Sequence, residues 1–231
     1  MRDLVLLPGC MCDADLWSNM RSELAALGRA QFGNVYENDT LEGMARRVLD
    51  EAPPSFVLIG FSMGGFVARV AALMAPERVR GIVFIATSAR GSTLAEDAHK
   101  AQRLATLGKV RIRADRPEVS ARALHPDRER DPVLLERLRA MSRRLGREVR
   151  ARQLPLVRRD GYADLERIAC PALVVACRQD RLRKFAETER MAQHLPHARF
   201  EVIEDCGHMA PMERPAELGA ILGDWIHREA L

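Results

Sequence analysis

The feature that most constrains the fold is a repeated pairing of a short, wholly apolar run with an amphipathic segment of helical period. Phe56-Val57-Leu58-Ile59, within a strand expected at residues 55–60, leads at once into a helix over residues 63–74. A strand that alternates apolar and polar residues has one wet face, whereas a strand apolar at every position needs cover on both. The pairing recurs along the chain. Residues 3–7 precede a helix carrying Leu16, Met20, Leu24 and Leu27, stopped by Gly28. Residues 30–36 read as a weaker strand, and Thr40 caps a helix carrying Leu41, Met44, Val48 and Leu49 that ends before Pro53-Pro54. Residues 81–86 form a further buried strand. After residue 171 come strand 172–177, a helix over 185–194, strand 200–203 and a last helix from Pro215 to about 228. Such alternation predicts an α/β fold, a mostly parallel sheet flanked by helices.

From residue 88 to residue 160 the alternation stops. Asp131-Pro132 opens a helix with Leu135, Leu138, Met141, Leu145 and Val149 on one face, and no strand pattern is visible. The expected organisation is a core of residues 1–87 and 161–231 interrupted by a helical insertion, 88–160. A chain of 231 residues accommodates one such domain.

The net charge of +4 is unevenly placed. Residues 88–160 hold 19 Arg or Lys against 10 Asp or Glu, a surplus of +9 that leaves the remainder at −5. Basicity confined to one segment, without interleaved aromatics for base stacking, argues against a nucleic-acid binder. The apolar runs are far shorter than the roughly 20 residues of a membrane span, and the first residues lack the pattern of a signal peptide, so a cytoplasmic, membrane-free protein is expected. Five cysteines, an odd number in a chain of this size, are expected to stay reduced. Cys10-x-Cys12 lacks a second ligand pair at zinc-site spacing, and no metal is expected.

Gly60-Phe61-Ser62-Met63-Gly64-Gly65 is a G-x-S-x-G pattern lying between an apolar strand and a helix. A serine on so tight a turn is pushed out of the sheet edge, while small residues two before and two after it let backbones pass closely. Such a serine needs a base. Of six histidines, His99 and His125 lie in the basic insertion and His194, His197 and His227 beside charged helix ends; His208 alone follows a parallel strand on a loop, where sites in open sheets lie. Asp180, at the carboxyl end of strand 172–177 and between Ser62 and His208 in sequence, is the favoured orienting acid; Asp205 is the rival and reads as a turn residue. The oxyanion of acyl transfer needs amide donors, and Met63 N–H and the loop after the first strand, best Cys10, can supply them.

These motifs, with Leu6-Leu7-Pro8-Gly9, Trp17, Arg178-Gln179-Asp180, Cys206-Gly207-His208-Met209-Ala210-Pro211 and Glu213-Arg214-Pro215, resemble the α/β-hydrolase superfamily over nearly the full chain. Their form is most similar to small bacterial carboxylesterases, including those acting on the methyl ester of pimeloyl acyl carrier protein. The resemblance implies an α/β-hydrolase fold, a helical cap made by residues 88–160, and a Ser62, His208, Asp180 triad working without a cofactor. Two departures stand out: Pro8-Gly9 replaces the usual His-Gly, and the basic run Arg181-Leu182-Arg183-Lys184 lacks the proline often found there.

The function expected is a serine hydrolase of carboxylic esters acting through an acyl-enzyme, with Met11, Trp17, Phe61 and Met209 lining a pocket for a small ester. An acidic acyl carrier protein is a partner that the basic insertion could steer. Carbon–carbon bond hydrolysis or elimination on an anionic substrate is the alternative chemistry. From another class, the chain reads as a non-catalytic ligand-binding protein on the same scaffold.

Overall fold

The computed structural model describes residues 1–107 and 117–231; residues 108–116, part of the expected insertion, lie outside the described residues. Six strands, β1 (Asp3–Leu7), β2 (Arg29–Phe32), β3 (Phe56–Phe61), β4 (Val79–Ile85), β5 (Ala172–Cys177) and β6 (Ala198–Ile203), form one sheet in the order β2-β1-β3-β4-β5-β6. Every neighbouring pair is parallel. The strand order reverses between β1 and β3, because the chain runs outward to β2 on one side and through β3 to β6 on the other. The crevice beyond the carboxyl ends of β1 and β3 is therefore where an open parallel sheet receives a ligand.

The helices are α1 (Arg21–Leu27), α2 (Leu41–Glu51), α3 (Met63–Met74), α4 (Leu94–Leu107), α5 (Pro117–Arg122), α6 (Pro132–Gln153), α7 (Tyr162–Leu165), α8 (Phe185–His194), α9 (Ala210–Glu213) and α10 (Pro215–Arg228). Strand residues divide between the two faces with period two. Leu4, Leu6, Val57, Ile59, Phe61, Val83 and Ile85 pack with Trp17, Met20, Leu24, Leu222 and Trp225 on one face. Val5, Leu7, Phe56, Leu58, Ile82 and Phe84 meet Met44 and Val48 of α2 and Phe66 and Val67 of α3 on the other. Each such fully buried side chain contributes about 1.5–3 kcal/mol, so a strand apolar at every position is stable only between two helical layers.

Local signals act where they were read. Thr40 Oγ1 accepts from Gly43 N at 3.1 Å to cap α2, and Asp131 Oδ1 accepts from Val133 N and Leu134 N at 2.8 and 3.1 Å to open α6. Strand ends shift by one or two residues from the sequence reading, and three elements differ by more. The weak strand expected at 30–36 closes after Phe32, and the first helix divides into a 3-10 segment, Ala14–Met20, followed by α1. The long helix of the insertion breaks at Gly146, whose φ of 74° and ψ of −169° belong to a region open almost only to glycine. The seam expected to run through Leu145 and Val149 therefore turns after Met141, which alone of those five residues is fully buried.

Between β4 and β5 the described chain is helical without a strand. Ala123, Leu124 and Met141 join one core cluster and Ala89 and Leu156 the other. This stretch is thus packed onto the sheet at its carboxyl edge rather than around a core of its own.

Candidate active site

Ser62 follows β3 with φ 52° and ψ −112°, a conformation costly for any residue with a side chain. Backbone packing enforces it. A Cβ added at Gly60 would lie 2.7 Å from Gly64 O, and one at Gly64 would lie 2.4 Å from Leu7 O, so α3 rests directly on β3 and β1. Ser62 N donates to Ile85 O at 2.9 Å, Gly65 N to Ser62 O at 3.0 Å, and Thr87 Oγ1 to Ser62 O at 2.7 Å. Thr87 O in turn accepts from Thr188 Oγ1 at 2.7 Å. Positive φ recurs at Met11, Ala86 and Asp205, which follow β1, β4 and β6, so strained backbone gathers at the carboxyl edge of the sheet.

His208 brings Nε2 to 2.9 Å from Ser62 Oγ and Nδ1 to 2.7 Å from Asp180 Oδ2. The other carboxylate oxygen of Asp180 accepts from Leu182 N at 2.7 Å and Arg183 N at 2.9 Å. Burial alone would raise the Asp180 pKa, but the adjacent His208 and the two amides outweigh it and hold the carboxyl below its ordinary value. Ser62 and His208 are only 6% and 5% exposed, which leaves their hydrogen bonds little competition from water. Asp205, the rival acid, lies instead 3.3 Å from His125 Nε2 and within 3.6 Å of Arg128 and Arg214.

The loop after β1 runs against the serine, since a Cβ at Gly9 would sit 3.3 Å from Ser62 Cβ. Cys10 belongs to this loop, closed by Cys12 N donating to Gly9 O at 3.1 Å, and Met63 is the first residue of α3, so both amides belong to backbone beside Ser62. Among the residues expected to line a pocket, Phe61 lies between the rings of His208 (5.0 Å) and Trp17 (6.5 Å) and is fully buried. Met209 is buried in the same cluster, and Met11 is half-buried. A cleft of about 730 Å³ lies farther along, lined by Asp13, Asp15, Trp17, Phe32 and Arg144 among others; it shares Trp17 with this group and none of Ser62, Asp180 and His208.

Several contacts around the site carry no mark in the sequence. Gln153 of α6 accepts from Met11 N at 2.8 Å and donates to Val35 O at 3.1 Å, tying the loop after β1 to the insertion. Glu213, whose carboxylate is fully buried, accepts from His125 N (2.8 Å), Arg128 Nε (3.0 Å) and Met209 N (3.3 Å). His208 N donates to Ala123 O at 2.8 Å. The histidine loop is therefore clamped to the segment holding Ala123 and His125.

The sequence model of the Alpha/beta hydrolase family matches residues 4–221. The chain belongs to the alpha/beta hydrolase family. Over 94 residues it is 40% identical to a pimeloyl-[acyl-carrier protein] methyl ester esterase of Klebsiella pneumoniae (strain 342), a match covering 37% of this chain and 36% of that relative's length. An esterase of the same name from Aromatoleum aromaticum is 27% identical over 97% of this chain and 98% of its own. A thermophilic esterase from Thermogutta terrifontis superposes with a TM-score of 0.86 at 25% identity, covering 99% of this hydrolase-family chain and 90% of its own. The enol-lactonase of Burkholderia xenovorans LB400 shares the fold, with a TM-score of 0.84 at 20% identity over 98% and 91% of the two chains. Among the described residues no helix is long and apolar enough to cross a membrane.

Proposed function

We propose that this alpha/beta hydrolase cleaves carboxylic esters through an acyl-enzyme on Ser62. The observation that carries the reading is the continuous hydrogen-bonded line from Ser62 Oγ through the His208 ring to Asp180, with links of 2.9 and 2.7 Å. In this reading His208 Nε2 takes the hydroxyl proton as Oγ attacks the acyl carbon. Asp180 holds the ring in the tautomer that leaves Nε2 free to accept, and it stabilises the imidazolium formed. The carbonyl oxygen gathers negative charge and rests on the Cys10 and Met63 amides. Proton return from His208 releases the alcohol, and a water deprotonated by the same nitrogen then frees the acid.

Met11, Trp17, Phe61 and Met209 would line the acyl pocket of a small ester, and residues 88–160 would act as a cap over it. The names of the curated relatives support an ester substrate, and they add an acidic acyl carrier protein as a partner. Exposed Arg122, Arg130, Arg147 and Arg159, without ion pairs among the described residues, leave positive charge that such a carrier could meet. Labelling of Ser62 by a fluorophosphonate and a burst of p-nitrophenol from an aryl ester test the reading. Ser62→Ala is expected to abolish both and to lower kcat by about 10⁶-fold; full activity in that variant would overturn it.

A further inference from the structure

The basic run after Asp180 has no part in the chemistry above, yet it places a cation beside the site. Arg183 Nε is buried without a hydrogen-bond partner, and among the described residues the only bond its side chain makes runs from Nη1 to Leu182 O, at 3.3 Å. Its guanidinium stands 5.6 Å from the centre of the Phe66 ring, and that of Arg158 stands 5.3 Å from the same ring. Phe66 is four residues after Ser62 on α3, so both cations border the helix that the serine opens, and Arg183 N donates to Asp180 Oδ1 at 2.9 Å. Burial first, and then the charge of Arg158, push Arg183 down to about 10, against the pull of Asp180, Glu187 and Cys10. Arg183 remains a cation at neutral pH, with Asp180 and the loop of Cys10 both within reach of its field.

The neighbouring carboxylates are already engaged. Arg90 bridges Glu96 at 2.7 Å and Glu187 at 3.0 Å, and Arg158 approaches Glu96 at 3.5 Å. Asp180 is committed to His208. Arg183 forms no ion pair among the described residues. A guanidinium whose Nε is shut off from water and unpaired is costly unless an anion completes it.

Resting on the ester-hydrolase reading, we propose that Arg183, seconded by Arg158, receives a carboxylate carried by the substrate itself, so that the preferred substrates are esters bearing one further negative charge. Guanidinium suits this task because its planar donors match a carboxylate and its apolar faces stack on Phe66.

The test compares kcat/KM for the methyl monoester of a linear dicarboxylic acid with that for the methyl ester of the matching monocarboxylic acid. Wild type is expected to prefer the anionic ester, and Arg183→Leu to lower the ratio of the two by about 10- to 100-fold, with partial rescue in Arg183→Lys. An unchanged ratio, or no preference in wild type, overturns the anion site while leaving ester hydrolysis intact. Failure of wild type to cleave either ester or to label at Ser62 would sink the underlying reading instead. Should Arg183→Leu not fold, inhibition of wild type decides: a dicarboxylate is expected to bind at least about 10-fold more tightly than the monocarboxylate, and equal inhibition rejects the proposal.

Discussion

Ser62 illustrates how one residue is held where its own preferences would not take it. With φ 52° and ψ −112° it occupies backbone space favourable to glycine, at a cost of about 1–3 kcal/mol. The bonds to Ile85 O and from Gly65 N and Thr87 Oγ1 retain it there. Two variants that lack the hydroxyl isolate the strain. Ser62→Ala keeps the Cβ and its strain, whereas Ser62→Gly removes both, so Ser62→Gly is expected to melt about 2–4 °C higher, equivalent to about 1 kcal/mol. Calorimetry of the two proteins checks this; a lower melting temperature for Ser62→Gly would show the turn to be unstrained. The serine and its histidine were legible because each depends on a local pattern, strand then turn then helix for Ser62 and strand then loop for His208. Asp180 could be favoured over Asp205 by position alone, but only the folded loop shows Asp205 turned toward His125 and Arg128.

At the scale of elements, the loop that carries His208 depends on a segment far away in sequence. The Glu213 carboxylate gathers His125 N, Arg128 Nε and Met209 N, joining the start of α9 to the turn before α6. Removing one partner of a fully buried ion pair costs about 3–5 kcal/mol. Arg128 is 26% exposed, so Glu213→Gln is expected to cost somewhat less, about 2–3 kcal/mol, read as a lower urea midpoint at unchanged m-value. A midpoint within error of wild type would remove the clamp from the account of how His208 is positioned. The motif Glu213-Arg214-Pro215 was visible in the sequence, but its purpose was not, because the groups that Glu213 binds at His125 and Arg128 lie more than 80 residues upstream. The break at Gly146 escaped for a related reason: a glycine inside an amphipathic run keeps the helical pattern on both sides of the bend.

Over the whole molecule, the charge asymmetry acts first as an adhesive. Arg144 reaches Asp13 at 2.7 Å, Arg137 reaches Asp15 at 3.5 Å, Arg128 reaches Glu213 at 3.0 Å and Arg90 reaches Glu187 at 3.0 Å, each a basic residue of 88–160 on an acid of the core. Apart from the buried Glu213 pair, such partly exposed pairs are individually worth at most about 1 kcal/mol, and their number matters more than any one. Glu96, which pairs with Arg90 and Arg158 inside the same segment, shows how ion pairs here depend on pH. Its hydrogen bonds to Arg90, opposed by partial burial and reinforced by the Thr93 amide, lower its pKa from 4.5 to about 2. A carboxyl lowered on folding contributes stability that is complete above its unfolded pKa and is lost as pH falls through the folded one. Melting temperature is therefore expected to fall between about pH 4.5 and pH 2, and less steeply in Glu96→Gln than in wild type. Parallel curves for the two proteins would assign the acid loss to other carboxylates.

Sequence alone determined the α/β class, the strand-rich core interrupted after residue 88, and the serine and histidine at strand ends. These follow from period, capping and turn chemistry, which act over a few residues and are written in adjacent side chains. Tertiary structure decided which arginines of the basic insertion are spent on acids of the core, how Gln153 and Glu213 tie the site's loops, and that Arg183 Nε is buried in the loop after Asp180 with no ion pair among the described residues. Ion pairing and desolvation depend on distances between residues that the chain brings together from far apart, and no local pattern encodes those distances.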